Sequence, residues 1–189
     1  MNILEKDIED LIFEASQSQK GREILLNRGL NICTPLKRQV NLGSYGIADL
    51  IDVIPDNTAI SYNVIELKKV SLSIEDILQL SRYITGMNRF LRENTPDFAN
   101  YHNVRGTLIG PDLKGTKDIG YLINQLYGIH VLTYNYDLEK GLKFTHLHGF
   151  HKSNEILASD SDIHLGMQSI LSDHYHRLSE EELKKTRNA

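Results

Sequence analysis

Along the stretch from Ile47 to Arg92 the hydrophobic period changes once, and that change restricts the fold more than any count of residue types. Ile47 to Ile54 and Ala59 to Lys68 read as strands, separated by the Pro55-Asp56-Asn57 reversal, while from Ser73 onward apolar residues recur at helical spacing. Ile74, Ile77, Leu78, Ser81, Ile84, Met87 and Leu91 then trace one face of a long helix running to about Arg92, with Ser73 as N-cap and Asp76 three positions on. A hairpin feeding a helix is predicted. Further on, Val104 to Ile109 reads as a strand, Thr116 to Leu126 as a helix and Ile129 to Tyr136 as a strand, which implies a crossover and a parallel pair.

The N-terminal part precedes this with Ile3, Ile8, Leu11, Ile12 and Ala15, an amphipathic helix interrupted in the polar run from Ser16 to Gly21 and resumed through Ile24, Leu25 and Leu26 to Gly29. Ile32 to Leu42, with Pro35 and the basic pair Lys37 and Arg38, suits an edge strand, and Gly43 to Gly46 a turn. The order α, βββ, α, β, α, β describes an α/β fold, a mixed central sheet flanked by helices. Residues 1–149 are expected to form this domain, and the polar stretch 150–189 a partly helical C-terminal extension.

At 189 residues the chain is long enough for one domain with a real core. The single Cys33 excludes an internal disulfide and suits a reducing cytoplasm. The acidic N-terminus lacks the basic residues of a signal peptide, and no apolar run approaches the ~20 residues of a membrane span, so a cytoplasmic protein is expected. A formal net charge of -4 argues against a purely electrostatic nucleic-acid binder, though not against a local basic groove.

The chemistry-bearing stretch is Gly46-Ile-Ala-Asp49, then Val64-Ile-Glu66-Leu-Lys68, then Gln79-Leu-Ser-Arg-Tyr83. Strand alternation puts Glu66 and Lys68 on one face, about 7 Å apart along the backbone. Asp49, on the preceding strand of the hairpin, can lie opposite Glu66, although sequence alone leaves the register open. Two converging carboxylates form a hard oxygen site suited to Mg²⁺ or Mn²⁺. An isolated Glu-x-Lys is usually a solvated ion pair. Glu66, however, sits between Ile65 and Leu67 in a strand that reads as buried, where an unpaired carboxylate is expensive. Gln79 and Tyr83 are i, i+4 neighbours, offset from the apolar face, and Tyr83 is as well explained by core packing.

These residues resemble the PD-(D/E)XK nuclease superfamily, and within it the catalytic domain of NucS-type and RecB-like endonucleases. The resemblance spans about Leu4 to Tyr136. It is carried by Leu4-Glu-Lys-Asp-Ile-Glu9, Arg38-Gln-Val40, Gly46-Ile-Ala-Asp-Leu50, Val64-Ile-Glu-Leu-Lys-Lys69, Gln79-Leu-Ser-Arg-Tyr83 and Val104-Arg-Gly-Thr-Leu-Ile-Gly-Pro111. It implies a restriction-endonuclease-like αβββαβ core and Mg²⁺-dependent hydrolysis of DNA phosphodiester bonds. Asp49, Glu66, the Leu67 carbonyl and Glu5 would hold the metal, with Glu9 the alternative to Glu5; Lys68 would be the catalytic lysine, and Gln79 and Tyr83 would hold the DNA strand. The chain departs from NucS-type enzymes in having no separate N-terminal domain, a longer segment between first helix and first strand, and a His-rich C-terminal extension, so mismatch specificity and a sliding-clamp partner are not carried over.

Among the basic residues Lys37, Arg38, Lys69, Arg82, Arg89, Lys114 and Lys117, the preferred phosphate contacts are Arg38, Lys69 and Arg82, which flank the motifs. His146, His148 and His151 invite a zinc reading, but no cysteine lies nearby and exposed histidines explain them better, as they do His174 and His176. A homodimer would let one site per chain cut both strands of a duplex. The alternative function is a non-cutting nucleic-acid-binding or assembly subunit with a nuclease-like fold.

Overall fold

The structure, a computed structural model, describes residues 5–55, 59–95, 102–114, 122, 126, 128–137 and 141–147. In chain order these form α1 (Glu5–Ser16), α2 (Gln19–Asn27), β1 (Lys37–Asn41), a 3₁₀ turn (Gly43–Tyr45), β2 (Ile47–Pro55), β3 (Ile60–Leu67), α3 (Ile74–Asn94), β4 (His102–Gly110), β5 (Ile129–Asp137) and β6 (Gly141–His146). The six strands form one mixed sheet in sequential order: β1–β2–β3 is an antiparallel meander, β3–β4–β5 is parallel, and β6 closes the far edge antiparallel to β5. This is the α/β architecture read from the sequence. The expected helix from Thr116 and the extension from residue 150 lie outside the described residues.

The sheet is covered on both faces by hydrophobic packing. Alternation along the central strands sends Ile65, Ile109 and Leu132 to the side of Ile8, Ile12 and Leu25 on α1 and α2, and sends Val64, Leu108 and Val131 to the side of Ile77, Leu80 and Tyr83 on α3. Residues 63–67 of β3 are therefore buried without a break, the pattern of a strand covered on both faces. The parallel step from β3 to β4 needs a crossover, and α3 supplies it. Its first turn is secured by Asp76, whose Oδ2 accepts from the backbone N–H of Ser73 at 2.8 Å and from its hydroxyl at 3.0 Å.

Several boundaries differ from the sequence reading. The first helix is two: Ser18 caps α2 by accepting from Gly21 N–H at 3.0 Å, and Gly21 lies so close to the Ala15 carbonyl that any Cβ would collide with it. The strand expected over Ile32 to Leu42 is confined to Lys37–Asn41, because the preceding loop is pinned under the sheet. Asp52, fully buried on β2, accepts from Cys33 N, Thr34 N and Thr34 Oγ1 at 2.9, 3.0 and 2.7 Å, which spends those donors on a side chain instead of a ladder. On α3 the buried stripe includes Leu80 and Tyr83, whereas Leu78, expected inside, is 62% exposed. Finally, β6 answers to nothing in the sequence reading.

Candidate active site

The site forms where the β2–β3 ladder stops. Paired residues run as far as Leu50↔Ile65, which puts Asp49 opposite Glu66. Beyond that point Asp49 bridges the strands with its side chain, Oδ2 accepting from Leu67 N–H at 2.8 Å. On its other side β3 stays attached to β4, Lys68 N–H donating to the Ile109 carbonyl.

Glu66 shares its face with Val64 and so points toward α3. It is 2% exposed. Oε1 accepts from Lys68 Nζ at 2.7 Å and from Gln79 Nε2 at 2.8 Å. The same Gln79 nitrogen donates to the Tyr83 hydroxyl at 2.6 Å, while Gln79 Oε1 accepts from Lys68 at 3.2 Å. Glu66 Oε2 is buried and has no hydrogen-bond partner among the described residues. An orphaned carboxylate oxygen at that depth is costly unless it meets a proton or a cation.

The electrostatics follow from this crowding. Burial, and then the neighbouring Asp49, push the Glu66 carboxyl up to about 7 against the pull of Lys68. Asp49 is also raised, first by burial and then by Glu9 and Glu5, with the Leu67 N–H and Lys68 opposing. Burial would lower the Lys68 ammonium, but its hydrogen bond to Glu66 and the fields of Glu66, Glu5 and Asp76 outweigh that and raise it. The lysine therefore stays charged, and the two carboxylates compete for one cation between them.

Asp49 opens onto a cavity of about 720 Å³ whose walls include Glu5, Glu9, Arg38, Gln39 and Lys69. Glu5 reaches it from the first turn of α1, with Oε2 accepting from Lys69 N–H at 3.1 Å. Glu9, one turn on and buried, accepts from Arg38 Nε at 2.7 Å and Gln39 Nε2 at 2.9 Å, and Arg38 also pairs with Asp10. Both helix carboxylates thus flank Asp49.

The residues singled out in sequence fall into two layers. Asp49, Glu5, Arg38 and Lys69 surround the cavity, and Glu66, Lys68, Gln79 and Tyr83 form the hydrogen-bonded relay behind it. Arg82 belongs to neither: it is exposed on α3, its guanidinium 5.8 Å from the centre of the Tyr83 ring. Tyr83 is buried in the core and not offset from it, because Gln79 satisfies its hydroxyl. Among the described residues no three Asp, Glu, His or Cys side chains converge on one metal position, so Glu5 is a neighbour of Asp49 and Glu66 and not part of a closed shell with them. The donors that suit a hard cation are the two facing carboxylates, and the unpartnered Glu66 Oε2 is the atom that calls for one.

The sequence reading missed Gln39. It lines the cavity with a backbone φ of 50°, the one non-glycine among the described residues in the left-handed region, and carries no sequence signal for that conformation. His146 lies on β6 beside His130, ring centres 5.7 Å apart, while His148, His151, His174, His176 and Lys117 lie outside the described residues. None of the described helices is long and apolar enough to cross a membrane.

No family model matches the chain, and no curated protein is significantly similar to it. Among solved structures it is similar to the crystal structure of a repair endonuclease from Pyrococcus abyssi, at 21% identity and a TM-score of 0.42. The alignment covers 69% of this chain and 46% of that one, so the chain spans less than half the length of its structural neighbour. At this distance the likeness bears on neither reaction nor substrate.

Proposed function

We propose that the chain is a Mg²⁺- or Mn²⁺-dependent DNA endonuclease of the PD-(D/E)XK type that hydrolyses phosphodiester bonds. The observation that carries the reading is Glu66: a buried carboxylate opposite Asp49, one oxygen held by Lys68 and Gln79 and the other without a partner. The residues fit a hard divalent cation, with Asp49 and Glu66 as ligands and the Leu67 carbonyl completing the protein's share. Magnesium commonly keeps several waters, so a set of two carboxylates is sufficient. A bound cation would supply Lewis-acid activation of water and neutralise charge developing at phosphorus.

The chain's own groups then have separate tasks. Lys68, kept as an ammonium, donates to the attacking water or to a phosphoryl oxygen and stabilises the charge that grows there. Gln79 and Tyr83 fix the Glu66–Lys68 pair, since one carboxamide bonds to all three neighbours. Lys69 and Arg38, at the cavity wall, are the proposed contacts of the DNA backbone. The expected order α, βββ, α, β is present in the described elements and supports the same reading.

The test is cleavage of single-stranded, duplex and branched DNA with Mg²⁺ or Mn²⁺ by the wild type and by Asp49→Ala, Glu66→Ala and Lys68→Ala. Cleavage by the wild type alone is expected. Equal cleavage by all four would refute the assignment, and metal-independent binding without cleavage on any substrate would point to the non-cutting subunit instead.

A further inference from the structure

The face of the sheet that packs on α1 and α2 changes character toward the start of β4. Ile109 and Ile65 continue the apolar cluster, but two and four residues earlier on the same face come Thr107 and Arg105, beside Asn63 on β3. Across the sheet His130 on β5 stands opposite Thr107, and His146 on β6 opposite Leu132. Together these five polar side chains line a cavity of about 150 Å³ under the loop at residues 30–31. It lies on the opposite face of the sheet from Glu66 and shares no residue with the cavity at Asp49.

The chemistry of the wall is one-sided. It holds a guanidinium, two imidazoles, an amide and a hydroxyl, and no carboxylate. The Arg105 Nε is buried with no hydrogen-bond partner among the described residues. Thr107 Oγ1 donates to Asn63 Oδ1 at 2.9 Å, so the amide is held by its oxygen and its N–H donors form the opposite end of the group. Asp52 lies one strand beyond, but its oxygens are taken by Cys33 and Thr34, and no ion pair joins it to Arg105. A buried guanidinium N–H facing a chamber of donors is satisfied by an anion.

We propose that this cavity is a binding site for a small oxyanion, of which inorganic phosphate is the type. Its volume is well below the roughly 300–1,000 Å³ of pockets that take organic ligands, and it accommodates a tetrahedral anion with at most a few waters. The planar guanidinium of Arg105 anchors the anion, and His130 and His146, whose rings meet edge to face, donate from the side of β5 and β6. The site is independent of the nuclease reading.

The experiment titrates the full chain with inorganic phosphate, against chloride at equal ionic strength, while following the imidazole resonances of His130 and His146 by NMR. A saturable shift of both is expected in the wild type and equally in Glu66→Gln. In Arg105→Gln the phosphate affinity should fall roughly 10- to 100-fold, the weight of a charge-assisted hydrogen bond. Should that variant fail to fold, His130→Gln at an exposed position is expected to weaken binding in the same direction. Absence of saturation in the wild type, an undiminished response in Arg105→Gln, or loss of the response in Glu66→Gln would each overturn the proposal. A nucleoside monophosphate that binds more tightly than phosphate would overturn it too, because the anion would then be one part of a larger ligand.

Discussion

Replacing Glu66 by Gln should stabilise the metal-free protein at alkaline pH, the reverse of what deleting half of a buried ion pair usually does. The folded chain holds the Glu66 carboxyl up at about 7 against an ordinary value of 4.5, through burial first and Asp49 second. Between those two values the folded state binds a proton that the unfolded chain has released. Stability contributed by this group is therefore full below about pH 4.5 and declines as pH rises through 7. A shift of about 2.5 units at 1.36 kcal/mol each amounts to about 3 kcal/mol near pH 8, and to less than about 1 kcal/mol near pH 5. Glu66 is 2% exposed, so solvent screens little of this. The introduced amide keeps an oxygen for Lys68 and Gln79 and carries no charge for Asp49 to repel. For a chain of this length about 3 kcal/mol corresponds to roughly 6–12 °C in Tm. The assay is urea or thermal unfolding of chelator-treated wild type and Glu66→Gln at both pH values. If the variant is less stable than wild type by the same margin at pH 5 and pH 8, Glu66 is an ordinary satisfied ion pair, and the case for a cation between it and Asp49 fails. Added Mn²⁺ should raise the Tm of the wild type near pH 8 and leave the variant unmoved.

Leu80→Ala removes a fully buried side chain from the packing of α3 on the sheet and should cost about 2–5 kcal/mol in urea unfolding; a loss under about 1 kcal/mol would contradict that placement. Gly46→Ala meets two obstacles, a φ of 119° and a Cβ placed 2.7 Å from Tyr83 Cε1, and should lose about 1–3 kcal/mol while displacing the Tyr83–Gln79 bond. Wild-type stability of that variant would show that the turn relaxes freely. Asp76→Ala removes the acceptor of the Ser73 N–H and should cost about 1 kcal/mol, measured the same way.

The elements that were legible are those where local signals and tertiary packing agree. β2, β3 and α3 begin and end within two residues of their expected limits, because the Pro55 reversal and the Ser73–Asp76 cap are both local and both used. Alternation alone was enough to bring Glu66 and Lys68 together. The register of Asp49 was not legible, since nothing in a hairpin of this loop length excludes its neighbours. Leu78 and Leu80 are equally apolar, and only the position of the sheet decides that the second is buried. β6 did leave a signal, Leu142 and Phe144 buried between exposed Lys143 and Thr145, but over too few residues to separate it from a loop. Glu5 and Glu9 could not be ranked because one helical turn separates them and both face the cavity; their bonds distinguish them, Glu9 being taken up by Arg38 and Gln39.

That distinction bears on how the site is assembled. Regular pairing uses every backbone donor, leaving a strand no reason to tolerate a buried carboxylate. At Asp49 the ladder lapses, and its side chain takes over the Leu67 N–H that a strand partner would have accepted. Glu66 and Lys68 are then carried by β3 into the space beneath α3, where Gln79 holds both. Glu9 meanwhile ties α1 to β1 through Arg38 and Gln39, so the cavity wall beside Asp49 is braced from the helix side as well. Each carboxylate thus has a structural duty on one oxygen, and only Glu66 Oε2 has none. A group that stabilises the fold needs no such remainder. Its persistence in an otherwise satisfied network is the physical reason to assign the site a ligand.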